Sequence, residues 1–178
     1  MSPMNNACAS LALLGLIAAS SPASSQEIPP PLVARGQVRL NLAGAEAALN
    51  GARAKAASLG LKDNIAVVDD GGHLMAFARM DGARPASAST AVGKAVSAAT
   101  FRQETGPLPA KGEPDLLLSL SLQNASGGKI TALKGGVPIV IDGQVVGAVG
   151  VGGGTGDQDV EVARAGVQAL FDALTPKK

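Results

Sequence analysis

Four side chains that often contact ligands recur at every second position of one predicted strand. His73, Met75, Phe77 and Arg79 provide the only histidine of the chain, a thioether, an aromatic ring and a guanidinium group. Because successive side chains of a strand point to opposite faces, strict alternation places these four on the same face. The pattern fits a row that faces a ligand. It also fits a sheet face covered by a helix, with Arg79 paired to a neighbouring carboxylate.

The sequence does not contain the common catalytic constellations. It has one histidine and one cysteine, Cys8, and none of its serines lies in a G-x-S-x-G motif. A zinc site needs three or four ligands, whereas His73 is accompanied only by scattered carboxylates. Asp69 and Asp70 are adjacent, so on a strand they point to opposite faces and do not form a catalytic dyad. These features favour a binding protein over an enzyme and leave the catalytic residues, if any, unassigned.

The glycine-rich segment after the last predicted strand does not match a nucleotide-binding motif. A dinucleotide fingerprint that begins at Gly150 would end at Thr155 instead of glycine. A Walker loop requires Gly-Lys-Ser/Thr, and neither Gly93-Lys94 nor Gly128-Lys129 is followed by a hydroxyl residue. Glycines inside a strand, such as Gly147 and Gly150, instead predict that another part of the protein or a ligand lies close to that face.

Hydrophobic periodicity predicts the elements that position these residues. Helices are predicted over about 41–59, 86–101, 116–122 and 157–174, hairpins over 65–80 and 137–151, and a short strand at 130–133. Thr155 and Gln158 form the pattern of a capping box at the start of the last helix. Hairpins rather than β-α-β crossovers predict an α/β protein of the α+β type, with a mostly antiparallel sheet of about five strands covered by helices.

Length and charge exclude some classes of partner. The chain has 178 residues, which indicates one folded domain, and its formal charge is +1. A charge this close to zero does not indicate a clustered basic surface. Aromatic residues make up 2% of the chain, which does not indicate a base-stacking platform. We therefore expect no nucleic-acid partner.

The first residues resemble a secretory leader. The segment Ala7–Ala19 is apolar but too short to span a bilayer, and small residues precede Gln26. We expect a signal peptide at 1–25, a proline-containing linker at 26–39 and the folded domain at 40–175. The expected location is the periplasm or the exterior, without stable membrane insertion after cleavage.

Two long blocks of the sequence resemble the GlcG/HbpS family, also called DUF336 or the haem-degrading domain family. They are VVDDGGHLMAFARMDGARPASASTAVGKAVSAATF at 67–101 and GGVPIVIDGQVVGAVGVGGGTGDQDVEVARAG at 135–166. The resemblance implies a profilin-like fold, assembly into homo-oligomers and binding of haem or a related tetrapyrrole. It fits an exported haem-binding or haem-sensing accessory protein. The alternative is an enzyme, or an enzyme accessory, that acts on a small carboxylate or degrades haem.

If haem is the ligand, the resemblance gives the predicted row specific roles. His73 is then the candidate axial ligand of the iron, because a neutral imidazole is the strongest iron ligand available here. Met75 and Phe77 would form an apolar wall, and Arg79 and Lys94 would contact the propionates. The alanine-rich helix over 86–101 is the expected oligomer interface, because small side chains allow close approach of a second backbone.

Overall fold

The structure is a computed structural model and describes residues 36–175. The expected leader and most of the expected linker lie outside these residues. Within the described part, none of the helices has the length and apolar character needed to cross a membrane.

Four helices and four strands form the described part of the chain. They are α1 (Leu42–Ser58), β1 (Asn64–Asp69), β2 (Leu74–Arg79), α2 (Ser87–Phe101), α3 (Leu116–Ala125), β3 (Gly136–Ile141), β4 (Gln144–Gly152) and α4 (Gly156–Leu174). The strands lie in the order β2-β1-β4-β3, and every neighbouring pair is antiparallel. The expected α+β architecture with an antiparallel sheet is confirmed.

The sheet has four strands rather than about five, because residues 130–133 do not form a strand. Their backbone donors are bonded to side chains instead of to a neighbouring strand. Ile130 N–H donates to Ser126 Oγ at 3.1 Å, and Thr131 N–H donates to Ser97 Oγ on α2 at 2.8 Å. The segment therefore follows α2 as an irregular connection before β3 begins.

Helices α1 and α4 pack together on one face of the sheet. Ile65 and Val67 of β1 and Val149 of β4 are fully buried in the core between them. The capping box of α4 is present as the sequence predicts, with Thr155 accepting from the backbone of Gln158 and Gln158 bonding back. Satisfying the first N–H groups of α4 in this way sets where the helix begins.

Helix α2 covers the opposite face, and its small side chains explain the glycines of β4. Ala91 and Ala95 are fully buried against the sheet, and a Cβ on Gly150 would overlap the carbonyl oxygen of Ala91. The glycine thus lets the α2 backbone approach β4, which is the close neighbour that a glycine in a strand predicts. The expectation that the alanine stripe forms an oligomer interface is wrong, since the protein's own sheet covers it.

Helix α3 is the least buried element of the described chain. Asp115 caps it by accepting from Leu118 N–H at 2.9 Å. None of its residues is buried, and Leu116 and Leu117 are 73% and 74% exposed. An apolar helix thus lies on the surface, within the segment that joins α2 to β3 along the chain.

Candidate functional site

The turn between β1 and β2 holds the imidazole of His73 against a carboxylate. Asp69 Oδ1 accepts hydrogen bonds from Gly71 N–H at 2.9 Å and from His73 N–H at 2.8 Å. The Nδ1 atom of His73 lies 3.2 Å from each oxygen of Asp69, while the side chain of His73 remains 83% exposed. The ring is therefore oriented through Nδ1, and Nε2 is the nitrogen available to a ligand.

The same contacts keep Asp69 ionised. Burial acts to raise the pKa of Asp69, but the backbone and ring of His73 and the N–H of Gly71 outweigh it, and the pKa lies below its usual value. A carboxylate that accepts several hydrogen bonds is stabilised in its charged form. Asp69 can consequently bond to Nδ1–H of the imidazole, a pairing common among histidines that bind metals.

A register shift in β2 divides the predicted row of side chains. Val67 of β1 lies opposite Ala76, so an unshifted register would pair the next residue, Val68, with Met75. Val68 instead lies opposite Leu74. Because one extra residue in a strand exchanges the faces of the residues beyond it, Leu74 and not Met75 shares a face with Phe77. The prediction of one continuous row from His73 to Arg79 is wrong for this reason.

The predicted residues of β2 consequently lie in different surroundings. Met75 packs, partly buried, against the core beneath α1 and α4. Phe77 is 39% exposed and lies opposite Ala66, on the side of the sheet covered by α2. Arg79 lines a separate cavity at the other end of β2, and six residues at about 3.3 Å each place it roughly 20 Å from His73.

Lys94 lies in the interior and does not face the predicted row. Its Nζ donates to Asp159 Oδ2 at 2.6 Å and to the carbonyl oxygen of Val151 at 2.8 Å. Both members of this ion pair are buried, and Asp159 Oδ1 also accepts from Gly154 N–H at 2.9 Å. The prediction that Lys94 contacts a ligand is therefore wrong. Its ammonium group instead joins α2 to β4 and to the first turn of α4.

A second buried carboxylate lies near this pair. Asp63 is fully buried, and within residues 36–175 neither of its side-chain oxygens has a hydrogen-bond partner. Burial raises the pKa of Asp63 to about 6, and the negative charge of Asp159 contributes a smaller increase. The positive charge of Lys94 acts in the opposite direction but does not outweigh them. The ionised form of Asp63 is therefore costly in the folded protein.

His73 lines an open groove of about 470 Å³ between the β1–β2 turn, α2 and the loop that follows α3. Val92 and Val96 provide apolar surface from α2, and Gly72 and Gly93 line the groove without side chains. Lys129 contributes an exposed ammonium group from the loop. The groove thus combines an imidazole, a cation and an apolar surface, drawn from three separate parts of the chain.

Sequence reasoning did not identify Lys129 as a site residue. Its signal is the segment Gly127-Gly128-Lys129, in which both glycines have positive φ angles of 65° and 79°. Such angles favour glycine and produce the tight loop that places Lys129 beside α2. This loop and the β1–β2 turn line the same groove only in the folded protein, so spacing along the chain does not reveal their proximity.

The groove fits a flat, anionic ligand that carries its own metal. His73 supplies one nitrogen donor, the valines supply a surface for an apolar ring, and Lys129 supplies a positive charge for acidic substituents. Within residues 36–175, no three His, Cys, Asp or Glu side chains are grouped to hold a bare metal ion. The groove thus offers a single nitrogen donor beside an apolar surface and one cation.

A family model agrees with the architecture and with the resemblance of the two sequence blocks. The model described as "Haem degrading protein HbpS-like" matches residues 40–168. Among curated proteins, Protein GlcG of Escherichia coli K12 is 44% identical over 88 residues, which is 49% of this chain. That alignment spans 62% of the length of GlcG.

Solved structures of two relatives have the same fold. Protein ORFY of Klebsiella pneumoniae superposes with a TM-score of 0.68 at 29% identity, covering 80% of this chain and 98% of ORFY. A double mutant of Streptomyces reticuli HbpS superposes with a TM-score of 0.62 at 31% identity, covering 80% of this chain and 98% of HbpS.

Proposed function

The chain belongs to the HbpS-like family of haem-degrading proteins, and on this premise we propose that it binds haem or a related tetrapyrrole in the groove beside α2. The observation that supports this most directly is the Asp69–His73 pair at the groove. It leaves Nε2 of an exposed, oriented imidazole beside an apolar surface, which is the arrangement that an axial iron ligand requires.

Each residue of the groove has a distinct role in this proposal. His73 ligates the iron through Nε2, and Asp69 holds the ring by accepting from Nδ1–H. Val92 and Val96 contact the face of the macrocycle, and Lys129 pairs with a propionate. Arg79 has no part in it, because it lines another cavity at the far end of β2. When bound, haem would supply a redox-active iron, for which His73 would be the ligand.

The proposal is tested by haem titration of the purified protein, followed through the Soret band. His73→Ala should shift the Soret maximum, because the axial nitrogen is lost. Asp69→Asn should weaken binding by about tenfold through loss of ring orientation. Lys129→Gln should weaken binding by up to about fivefold and leave the spectrum unchanged, since an exposed ion pair contributes modestly.

Lys111→Gln is the matched control, because Lys111 is exposed but does not line the groove. It should bind haem as the wild type does. An identical spectrum and affinity in wild type and His73→Ala would remove His73 from the site. No saturable binding by the wild type would remove the ligand itself.

Degradation of haem is the second candidate function, and the description of the family favours it. We favour binding as the primary role, because binding requires only the single donor that His73, oriented by Asp69, supplies at the groove. The two functions are separated by incubating the complex with ascorbate in air. Loss of the Soret band with release of iron would support degradation, and a stable band would support binding or sensing.

We also propose that the chain is exported and functions in the periplasm or outside the cell. The apolar segment Ala7–Ala19 and the small residues before Gln26 support this proposal. The intact mass of protein recovered from the periplasm or medium should show loss of about the first 25 residues, by the features of such leaders. Full-length protein confined to the cytosol would contradict it.

Finally, we propose that the chain forms homo-oligomers and that α3 is the contact surface. Its exposed leucines form an apolar patch that a monomer would leave in water. Because the buried alanine stripe of α2 is not accessible, α3 takes the place of the interface expected on α2.

A further inference from the structure

A second cavity, of about 790 Å³, lies between the C-terminal half of α1 and the end of β2. Ala54 and Ala57 of α1 and Ala78 of β2 contribute to its walls, together with Leu61 and Met80. Because three of these five residues have only a methyl side chain, the space between the helix and the edge strand remains open. Apolar surface at the bottom of an open cavity suits a compact organic ligand.

Three cations line this cavity. Arg53 comes from α1, Lys62 from the loop before β1, and Arg79 from the end of β2, whereas Asp81 is the one carboxylate that lines it. Arg79 lies opposite Asn64 and shares a face of the sheet with Phe77, so it borders the cavity as part of the edge strand β2, while Arg53 and Lys62 are the cations beside α1. The excess of positive charge favours an anion over a neutral or cationic ligand.

The ion pairs of the described chain leave these three cations without an acidic partner. Lys55, Lys134 and Arg164 each lie 2.7–2.8 Å from a carboxylate on another element. Within residues 36–175, no carboxylate lies within ion-pair distance of Arg53, Lys62 or Arg79. The only side-chain bond found there for Arg53 is a long one of 3.3 Å to Asn50.

From this arrangement we propose that the cavity binds a small organic carboxylate. The guanidinium group of Arg53 offers a planar pair of N–H donors that matches a carboxylate, and Lys62 adds a point charge. The alanines, Leu61 and Met80 contact the aliphatic part of the ligand. The site is separate from the groove of His73, which lies at the opposite end of β2.

Succinate is the first compound to test, by calorimetry and by amide chemical shifts of the ¹⁵N-labelled full chain. Saturable binding is expected, with the largest shifts at residues 60–62 and 78–81. Arg53→Gln and Lys62→Gln should each raise the Kd by about tenfold, because each removes a charge-assisted hydrogen bond. Both side chains are exposed, so the variants should keep the melting temperature of the wild type.

Two further variants and one further anion make the result decisive. Arg164→Gln removes an arginine that lies outside the cavity, and His73→Ala alters the other site; both should bind succinate as the wild type does. No saturable succinate binding, or an unchanged Kd in both Arg53→Gln and Lys62→Gln, would overturn the proposal. Inorganic phosphate binding more tightly than succinate would overturn the assignment to organic carboxylates, because the apolar walls would then contribute nothing.

Discussion

At the residue scale, the ammonium group of Lys94 is enclosed by three elements and compensates a buried negative charge. It contacts Asp159 on α4 and the carbonyl oxygen of Val151 on β4. Removing one member of a buried pair is costly because the remaining charge is left without compensation. The role of Lys94 in this structure is therefore to hold α2, β4 and α4 together.

Lys94→Met should lower the free energy of unfolding by about 3–5 kcal/mol, measured by urea denaturation. The double variant Lys94→Met/Asp159→Leu should recover much of this loss, because the stranded carboxylate is removed as well. Lys134→Met breaks an exposed ion pair with Asp157 and should change stability little. A similar loss in both lysine variants would contradict the structural role of the buried pair.

Asp63 predicts a pH dependence of stability. Its pKa is about 6 in the folded protein, whereas the usual pKa of an aspartate is 3.8. Between these values the folded state retains a proton that the unfolded state releases, so this group's contribution to stability falls as pH rises from about 4 to 6.

Asp63→Asn should therefore be more stable than the wild type at pH 7 by up to about 3 kcal/mol, the equivalent of roughly two pKa units. The advantage should shrink as the pH falls from about 6 to 4 and disappear near pH 3, where the wild-type carboxyl group is mostly protonated in both states. Urea denaturation of both proteins at several pH values measures the difference. A difference that stays constant from pH 4 to 7 would show that Asp63 does not titrate in this range.

At the element scale, the contact between α2 and β4 depends on glycine at one position. A Cβ on Gly150 would overlap the carbonyl oxygen of Ala91, so α2 would have to move away from the sheet. Gly93 lies on α2 itself, and the nearest atom to a Cβ added at Gly93 would be 3.6 Å away, an ordinary contact distance. The two glycines thus have different physical reasons for their presence.

Gly150→Ala should destabilise the protein by at least about 2 kcal/mol, because an extra methyl group is forced into a packed interface. Gly93→Ala should instead stabilise it by up to about 1 kcal/mol through the higher helix propensity of alanine. Thermal unfolding of the two variants measures both effects. Equal destabilisation by both would contradict the close approach of α2 to β4 at Gly150.

At the scale of the whole molecule, the exposed leucines of α3 predict self-association. Leu117→Glu should reduce the mass measured by light scattering toward that of the monomer, because it places a charge on the proposed contact surface. Leu42→Glu is the control, since Leu42 is 56% exposed on α1 and should leave the mass unchanged.

Ala91→Arg is expected to unfold the protein instead of dissociating it, because Ala91 is fully buried against the sheet. A wild type that is monomeric at micromolar concentration would contradict the proposed assembly. A folded, monomeric Ala91→Arg variant would instead restore α2 as the interface.

The sequence by itself determined most of the secondary structure and the family. The capping box of Thr155 and Gln158 acts through neighbouring residues, so its pattern is readable along the chain. The glycines of β4 also signalled a close neighbour, although they did not identify it as α2. Local chemistry of this kind depends little on the rest of the fold.

Only the tertiary structure decided which side chains share a site. The extra residue at Met75 placed this side chain on the opposite face from Phe77, because a register shift interrupts the alternation of side chains along a strand. Lys94 pairs with Asp159, a carboxylate 65 positions later in the chain, and Lys129 lines the same groove as His73 beside α2. These contacts depend on how helices and strands pack, and a one-dimensional pattern does not contain that information.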